Sequence, residues 1–526
     1  MTSILKYLNR ALLVLLLAAF AACSDNEGGN ESNGNGDDGN TETPADGDTY
    51  GYIKDTNGNP VEGVVVSDGY SCTATDAEGR YALTRNADAG FVFYSLPSAY
   101  KVSVDKTYKL PRFFARLQAG TARYDFTLEA LAAPEKRFDL ICIGDPQINE
   151  ASHAVRFKEE AGREIREYAA SAGVPCYGIT LGDHVNNKWT LFTNMVVALQ
   201  PEQTGVPVFA TIGNHDHEFP TADEKAARAK YESYFGPADY SFNRGDVHVV
   251  SMDNVIHSCK ASADYEGGFT AAQYAWLKQD LSFVPKDKMV ILCVHIPFRG
   301  GWGTNSAHAD ADKYYDEVLD LLSQYEYAAI MSAHTHSNIN YIHRKNGKEI
   351  FEHVTGTTCG AWWRSTVCTE GTPIGFGLYR IDGNRMEEWA YRSVRHDEQF
   401  QIRLYRASDT FVGGAKYRFK QTGADQIVAN IWNWDPSWTV NVYENDVLSG
   451  QMTRNSDIDA WTVAYHIGLL NNTDSYRKSS DHMFHYTLKN PAAAVRVEAI
   501  DRFGNKYEQT VFTDPAEHPG DFHADF

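Results

Sequence analysis

Five times in this chain a short apolar run, of the kind that forms a buried strand, ends abruptly in acid, amide or imidazole. Val206 to Ile212 runs into Gly213-Asn214-His215-Asp216, Leu140 to Ile143 into Gly144-Asp145-Pro146-Gln147, and Tyr177 to Leu181 into Gly182-Asp183-His184-Val185-Asn186. Met289 to Val294 runs into His295, and Ala328 to Ala333 into His334-Thr335-His336. Between these runs the periodicity turns helical. Phe157, Ala161, Ile165 and Ala169 give one apolar stripe, and Thr270-Ala271-Ala272-Gln273 has the spacing of a capping box ahead of Tyr274, Leu277 and Leu281. Strands alternating with helices from Lys136 to about Asp382 predict an α/β core, with the polar clusters at the carboxyl ends of the strands, where such sheets place their ligand crevice.

The ordered clusters resemble the signature of the calcineurin-like metallophosphoesterases, whose blocks read roughly DxH, GDxx(D/N), GNH(D/E), a lone H and GHxH. Gln147 stands where the first histidine is usual, and Ala333 where the last block usually has glycine. The resemblance covers roughly Phe138 to Tyr379. It implies an α/β fold, a β-sandwich flanked by helices, with a dinuclear metal site. By the family's pattern the first divalent ion would take Asp145, Asp183 and His336, with Gln147 as a weaker oxygen ligand; the second would take Asp183, Asn214, His295 and His334. Asp183 is then the shared carboxylate that offsets repulsion between the ions. A glutamine oxygen in place of a histidine nitrogen hardens the first site, which favours manganese, magnesium or iron over zinc.

The implied reaction is hydrolysis of a phosphate monoester or diester by a hydroxide activated by both metals. His215 would donate a proton to the leaving oxygen, and Asp216 would hold the His215 ring. Arg299, Trp302, Trp362 and Trp363 are the candidate substrate-binding residues, while His184 and Asn186 lie close enough in sequence to Asp183 to touch phosphate or bound water. The alternative is a weak or inactive surface protein that binds phosphorylated glycans or lipids, with a vestigial metal centre.

Net charge is −21 and no basic run occurs, so the chain lacks the electrostatic footprint of a nucleic-acid binder. Residues Met1 to Cys23 read as a lipoprotein signal peptide: Lys6 and Arg10 precede the apolar run Ala11 to Ala22, too short to span a bilayer, and Phe20-Ala21-Ala22-Cys23 resembles a bacterial lipobox with Cys23 as the lipidated residue. Ser24 to Asp48 holds no basic or aromatic residue and reads as a flexible acidic tether. These features place the protein outside the cytoplasm, anchored to the outer membrane and facing the cell surface. Its expected partners are a phosphorylated small-molecule, lipid or glycan substrate and the membrane; the oligomeric state is left open. Of the other seven cysteines, Cys142 and Cys293 sit in apolar strands as small hydrophobes, and Cys359 and Cys368 flank a loop that an oxidising compartment would allow to close.

Both flanks read as all-β. Residues 49–130 break short apolar runs with turn signals such as Asn57-Gly58-Asn59-Pro60 and resemble the prealbumin-like sandwiches of secreted proteins. That domain is expected to pack laterally on the core or to stand it off the membrane. The core is expected over 136–385 and a second β-domain over 390–526, where Trp432, Trp434 and Trp438 either fill a sandwich core or form a ligand platform.

Overall fold

The computed structural model describes residues 47–299, 313–408, 423, 425–470 and 478–510. Cys23, Trp302, the signal segment and nearly all of the tether lie outside them. Two mixed sheets form the core. One runs Val208–Thr211, Cys176–Leu181, Arg137–Ile143, Gly375–Asp382, Arg385–Ser393, the first three parallel and the last two antiparallel. The other runs Tyr240–Arg244, Val247–Ser251, Met289–Cys293, Tyr327–Ser332, Lys348–Val354, Ile339–Lys345, with its middle four parallel.

Strand side chains alternate between faces, and here both faces are covered. Leu140 and Cys142 pack between the sheets with Val249 and Ile291, whereas Ile141 and Ile143 pack outward with Phe157, Ile165 and Phe192. That is why these strands are apolar throughout rather than in alternation. The helix Ala151–Phe157 passes through one wide turn at Lys158–Gly162 into Arg163–Ser171, with Phe157, Ala161 and Ile165 buried as the stripe requires. Thr270 caps Ala271–Ser282 reciprocally: its hydroxyl accepts from Gln273 N–H and its own N–H donates to Gln273 Oε1 at 2.9 Å. Trp276, Leu277 and Leu281 are buried on that helix, and Tyr274 half-buried.

The N-terminal sandwich pairs a three-stranded sheet (Arg80–Leu83, Thr49–Asp55, Phe126–Leu128) with a four-stranded one (Cys72–Ala74, Val65–Ser67, Phe91–Tyr94, Phe114–Arg116). It shares one continuous apolar core with the catalytic sheets. Trp276 Nε1 donates to Ser67 Oγ at 2.9 Å, and the fully buried Arg244 guanidinium donates to the carbonyls of Pro97 (3.0 Å) and Tyr100 (2.6 Å). Lateral packing is therefore the arrangement this domain adopts.

The C-terminal sandwich pairs Arg403–Arg406, Gln426–Asn430, Ser479–Thr487, Thr453–Ile458 with Val447–Gln451, Thr439–Glu444, Val495–Ile500, Lys506–Gln509. Trp438 is buried in the sandwich core with Trp434 half-buried against it, the Arg454 guanidinium 4.5 Å from the Trp434 ring centre, whereas Trp432 is buried against Phe400 with its carbonyl bonded to Asn338, so these rings offer no platform. Strand Arg385–Ser393 closes the first sheet, which carries the core to Ser393, beyond the boundary expected at 385. Cys359 and Cys368 are both free thiols. Among the described residues no helix is long and apolar enough to cross a membrane.

Candidate metal centre

The carboxyl ends of Arg137–Ile143, Cys176–Leu181, Val208–Thr211, Met289–Cys293 and Tyr327–Ser332 meet at one edge of the core, and each hands over to a cluster of the sequence pattern. The turns that follow are sharp. Asp145 (φ 38°), Gln147 (35°), Asp183 (53°), His334 (67°) and His336 (56°) all adopt left-handed backbone, which costs energy for residues with a Cβ and gathers at functional sites. Gly182, at φ 94°, needs to be glycine on two counts, since a Cβ there would come within 2.4 Å of His295 Nδ1.

Two groups of ligand atoms result, Asp183 with His295 and His334, and Asp145 with Asp183 and His336; within each group the atoms lie within 4.8 Å of one another. Asp183 belongs to both. In the first-named group, His295 Nδ1 is 2.7 Å from the Leu181 carbonyl, to which it donates, and this turns Nε2 towards Asn214 Oδ1 at 3.0 Å, His334 Nδ1 at 3.2 Å and Asp183 Oδ1 at 3.3 Å. Burial alone would lower the His295 pKa, but Asp183, Asp145 and the Leu181 carbonyl lift it to about 9. Burial, helped by His295, holds His334 well below the ordinary range, so that it presents a lone pair. Tyr265 reaches His334 Nε2 at 3.4 Å, a partner no sequence signal announced.

The second group tests the fit of a cation directly. Asp145 Oδ1, Gln147 Oε1 and His336 Nδ1 are buried and have no hydrogen-bond partner in the protein. A buried acceptor left without a donor is costly, and a bound cation would relieve that cost for all three. Burial, together with the Asp183 charge, raises the Asp145 carboxyl far above its ordinary range, although His295 opposes the rise. Burial and the nearby Lys478 ammonium push His336 down to about 3. Gln147 Nε2 donates to Asp183 Oδ2 at 3.2 Å, which leaves its oxygen as the free atom. The donor set fits a dinuclear centre of divalent cations, with an oxygen-rich second pocket.

Three family models match the chain. The N-terminal domain of calcineurin-like phosphoesterases matches residues 48–131, the calcineurin-like phosphoesterase domain matches 124–338, and the C-terminal domain of calcineurin-like phosphoesterases matches 352–507. The chain belongs to the calcineurin-like phosphoesterases. It is an enzyme of that family, whose members use a dinuclear divalent metal centre, and its fold is theirs, with a β-domain on either side. No curated protein matches the sequence. Similar solved structures include phosphopantetheinyl hydrolase of Mycobacterium tuberculosis, at 10% identity over 42% of this chain and 90% of that one, with a TM-score of 0.24. The 5'-nucleotidase precursor of Thermus thermophilus matches at 10% identity over 49% and 54%, TM-score 0.30, and the 5'-nucleotidase of Candida albicans at 13% over 50% and 52%, TM-score 0.31. The chain spans about half the length of these two nucleotidases.

Around this phosphoesterase centre several expected side chains fall elsewhere. Asp216 does not hold His215. Its Oδ1 accepts from His184 N–H (2.8 Å) and Val185 N–H (3.3 Å), while Oδ2 accepts from Gly213 N–H (3.0 Å) and meets His184 Nδ1 at 2.9 Å. His184 is fully buried against Phe235, with Nε2 on Thr180, and has no route to substrate. The His215 ring is instead held by Asn187, whose Oδ1 lies 2.9 Å from His215 Nδ1; Asn187 Nδ2 donates to Ser262, which fixes the amide orientation.

Trp363 is buried, donates through Nε1 to the Pro146 carbonyl at 2.9 Å and stacks on His153, so it props the turn bearing Asp145 and Gln147 rather than lining a pocket. Trp362 is half-buried with its ring 4.8 Å from the His336 ring. Arg299 is exposed, its guanidinium 5.7 Å from the Tyr341 ring. Trp302 lies outside the described residues.

Proposed function

We propose that this phosphoesterase hydrolyses a phosphate mono- or diester of a small organic alcohol outside the cytoplasm, anchored by a lipid on Cys23, with His215 as the proton donor to the leaving oxygen. The reading of location rests on the leader, the lipobox-like Phe20 to Cys23 and the acidic tether. The reading of chemistry rests on one observation above the rest: two ligand groups share Asp183, and at one of them Asp145 Oδ1, His336 Nδ1 and the oxygen of the nearby Gln147 are buried without hydrogen-bond partners.

Asp145, Gln147, Asp183 and His336 would hold one divalent cation, and Asp183, Asn214, His295 and His334 the other. When bound, the cations supply neutralisation of the phosphoryl charge and acidification of a water near neutral pH. The protein's own contribution is orientation and a proton. His215 sits beside the shared carboxylate: its N–H donates to Asp183 Oδ1 at 2.9 Å, and its Nε2 lies 4.0 Å from Asp183 Oδ2. With Nδ1 committed to the Asn187 oxygen, Nε2 is the nitrogen that carries the transferable proton. Its side chain is 24% exposed, enough to meet a leaving group arriving from solvent. Trp362, half-buried over His336, offers a ring face to the organic part of the substrate.

The test is hydrolysis of p-nitrophenyl phosphate and bis-p-nitrophenyl phosphate by the chelated full chain, with manganese, magnesium, iron or zinc added back. Metal-dependent turnover is expected. A folded protein that binds two metal ions and turns over neither ester with any of them would overturn the reading. Cys23→Ala tests the anchor: the protein should pass from the membrane to the soluble fraction.

A further inference from the structure

Strand Val255–His257 pairs antiparallel with Tyr265–Gly267, and this small hairpin reaches the group formed by Asp183, His295 and His334. It is fastened there at its base. Asn254, immediately before it, accepts through Oδ1 from the N–H groups of His295 (3.1 Å) and Ile296 (3.0 Å), and its carbonyl accepts from Gly268 N–H (2.9 Å), immediately after it. His257 and Tyr265 stand directly opposite each other, so their side chains leave the hairpin on one face. The Tyr265 ring lies nearly parallel to that of His257, with centroids 6.3 Å apart, and edge-on to that of His334 at 5.7 Å. Neighbours on two sides hold the phenol at the metal centre.

The hydrogen bond between Tyr265 and His334 has a direction. His334 turns Nδ1 towards His295 Nε2, 3.2 Å away, where the ligand atoms of this group converge. A neutral imidazole has one hydrogen, and the nitrogen that is to meet a cation must present its lone pair, which leaves the hydrogen on Nε2. His334 Nε2 therefore donates to Tyr265 Oη at 3.4 Å, as metal-binding histidines commonly donate their second nitrogen to a fixed partner. Having accepted that bond, the phenol still has its own O–H to give. Among the described residues its oxygen meets no other hydrogen-bond partner, and Tyr265 is half-buried, so a ligand can reach it.

We propose that Tyr265 touches the substrate, donating its O–H to a non-bridging oxygen of the phosphoryl group. The proposal rests on the phosphoesterase reading above and adds a residue to its substrate site. A hydroxyl is suited to this place because it carries no charge to repel the cations collected beside it, while an O–H given to a charged oxygen makes a strong hydrogen bond. A ring already held on two sides also loses little freedom when it binds. His215 serves the leaving oxygen, and Tyr265 serves an oxygen that stays on phosphorus, which monoesters and diesters both have.

The test compares wild type and Tyr265→Phe in the metal-loaded full chain; phenylalanine keeps the ring between His257 and His334 and removes only the hydroxyl. The readouts are binding of inorganic phosphate by calorimetry, metal content, and kcat/KM on p-nitrophenyl phosphate, bis-p-nitrophenyl phosphate and an alkyl phosphate. Phosphate affinity should fall about 10- to 100-fold, with metal content at the wild-type level. The fall in kcat/KM should be of similar size on aryl and alkyl esters, because the oxygen concerned is not the one that leaves. Unchanged phosphate affinity, or a loss that disappears when metal is restored, would reduce Tyr265 to a positioning residue for His334. A loss confined to the alkyl ester would move its proton to the leaving oxygen and overturn the assignment as well. Phosphate binding needs no turnover: if wild type hydrolyses none of the esters, the phosphoesterase reading fails while the calorimetry still decides the role of Tyr265.

Discussion

His215 Nδ1 lies 2.9 Å from Asn187 Oδ1, while the neighbouring acid Asp216 is committed to three backbone N–H groups and the buried His184. A neutral amide orients an imidazole without adding a negative charge beside it. Asn187→Leu should therefore slow alkyl phosphates about tenfold and p-nitrophenyl phosphate little, because only the poor leaving group needs a positioned proton. His215→Ala should show the same pattern at about 100-fold or more. Steady-state kinetics on a leaving-group series checks both; uniform losses across the series would remove His215 from the proton-donor role.

Asp216 carries a structural prediction instead. Replacing it with alanine strands the N–H groups of His184, Val185 and Gly213 in a buried pocket, at a cost of about 3 kcal/mol or more in unfolding free energy. Denaturant unfolding measures this. Asp216→Asn, which keeps an acceptor oxygen, should cost less and leave the leaving-group dependence as in wild type.

Asp183 is the one carboxylate common to both ligand groups. Asp183→Asn should lower the metal content at both positions and abolish turnover, read by elemental analysis beside the ester assay. Loss of one ion with the other fully retained would show that the two positions are not joined through this residue.

The N-terminal sandwich is bound into the enzyme through Trp276, buried between the domains and bonded to Ser67. Trp276→Ala should cost about 3–5 kcal/mol. Removing residues 47–130 would expose the apolar faces that Val66 and Phe93 cover, and limited proteolysis should find the remainder poorly folded. A truncated enzyme with the wild-type melting temperature would mean that the sandwich is a detachable spacer.

Near that same interface, burial and the Asp253 charge raise the Glu224 carboxyl to about 7, against opposition from His217 and Arg228. Because the folded protein holds this proton at a pH where the unfolded chain has released it, stability falls as pH rises from about 4.5 to about 7. Glu224→Gln should flatten the melting temperature over that window. A profile that keeps its slope would place the titration in another group.

Much of the site was legible because a strand that runs out of apolar residues and meets acid or imidazole is a purely local event. Asp145, Asp183, Asn214, His295, His334 and His336 each stand at such an end, and the family's block order supplied which ends belong together. The two buried faces of the core strands, the Thr270 cap and the sandwich-filling Trp438 follow from the same kind of short-range pattern.

What the sequence by itself determined, then, was the chemistry available at each strand end. Only the tertiary structure decided which neighbour each group acquired. Asn187 rather than Asp216 holds His215, because the turn at Asp183 swings one side chain towards the ring while the tight turn at Gly213 folds the other back under it. Trp362 and Trp363 are adjacent in sequence, yet successive left-handed backbone angles of 50° and 65° send the first over His336 and the second into the core. Tyr265 and Lys478 lie 69 and 143 residues from the atoms they bond, and no periodicity or motif reports a contact across that distance. Such pairings depend on how whole sheets pack and on which backbone carbonyls and ring nitrogens their packing leaves in need of a partner.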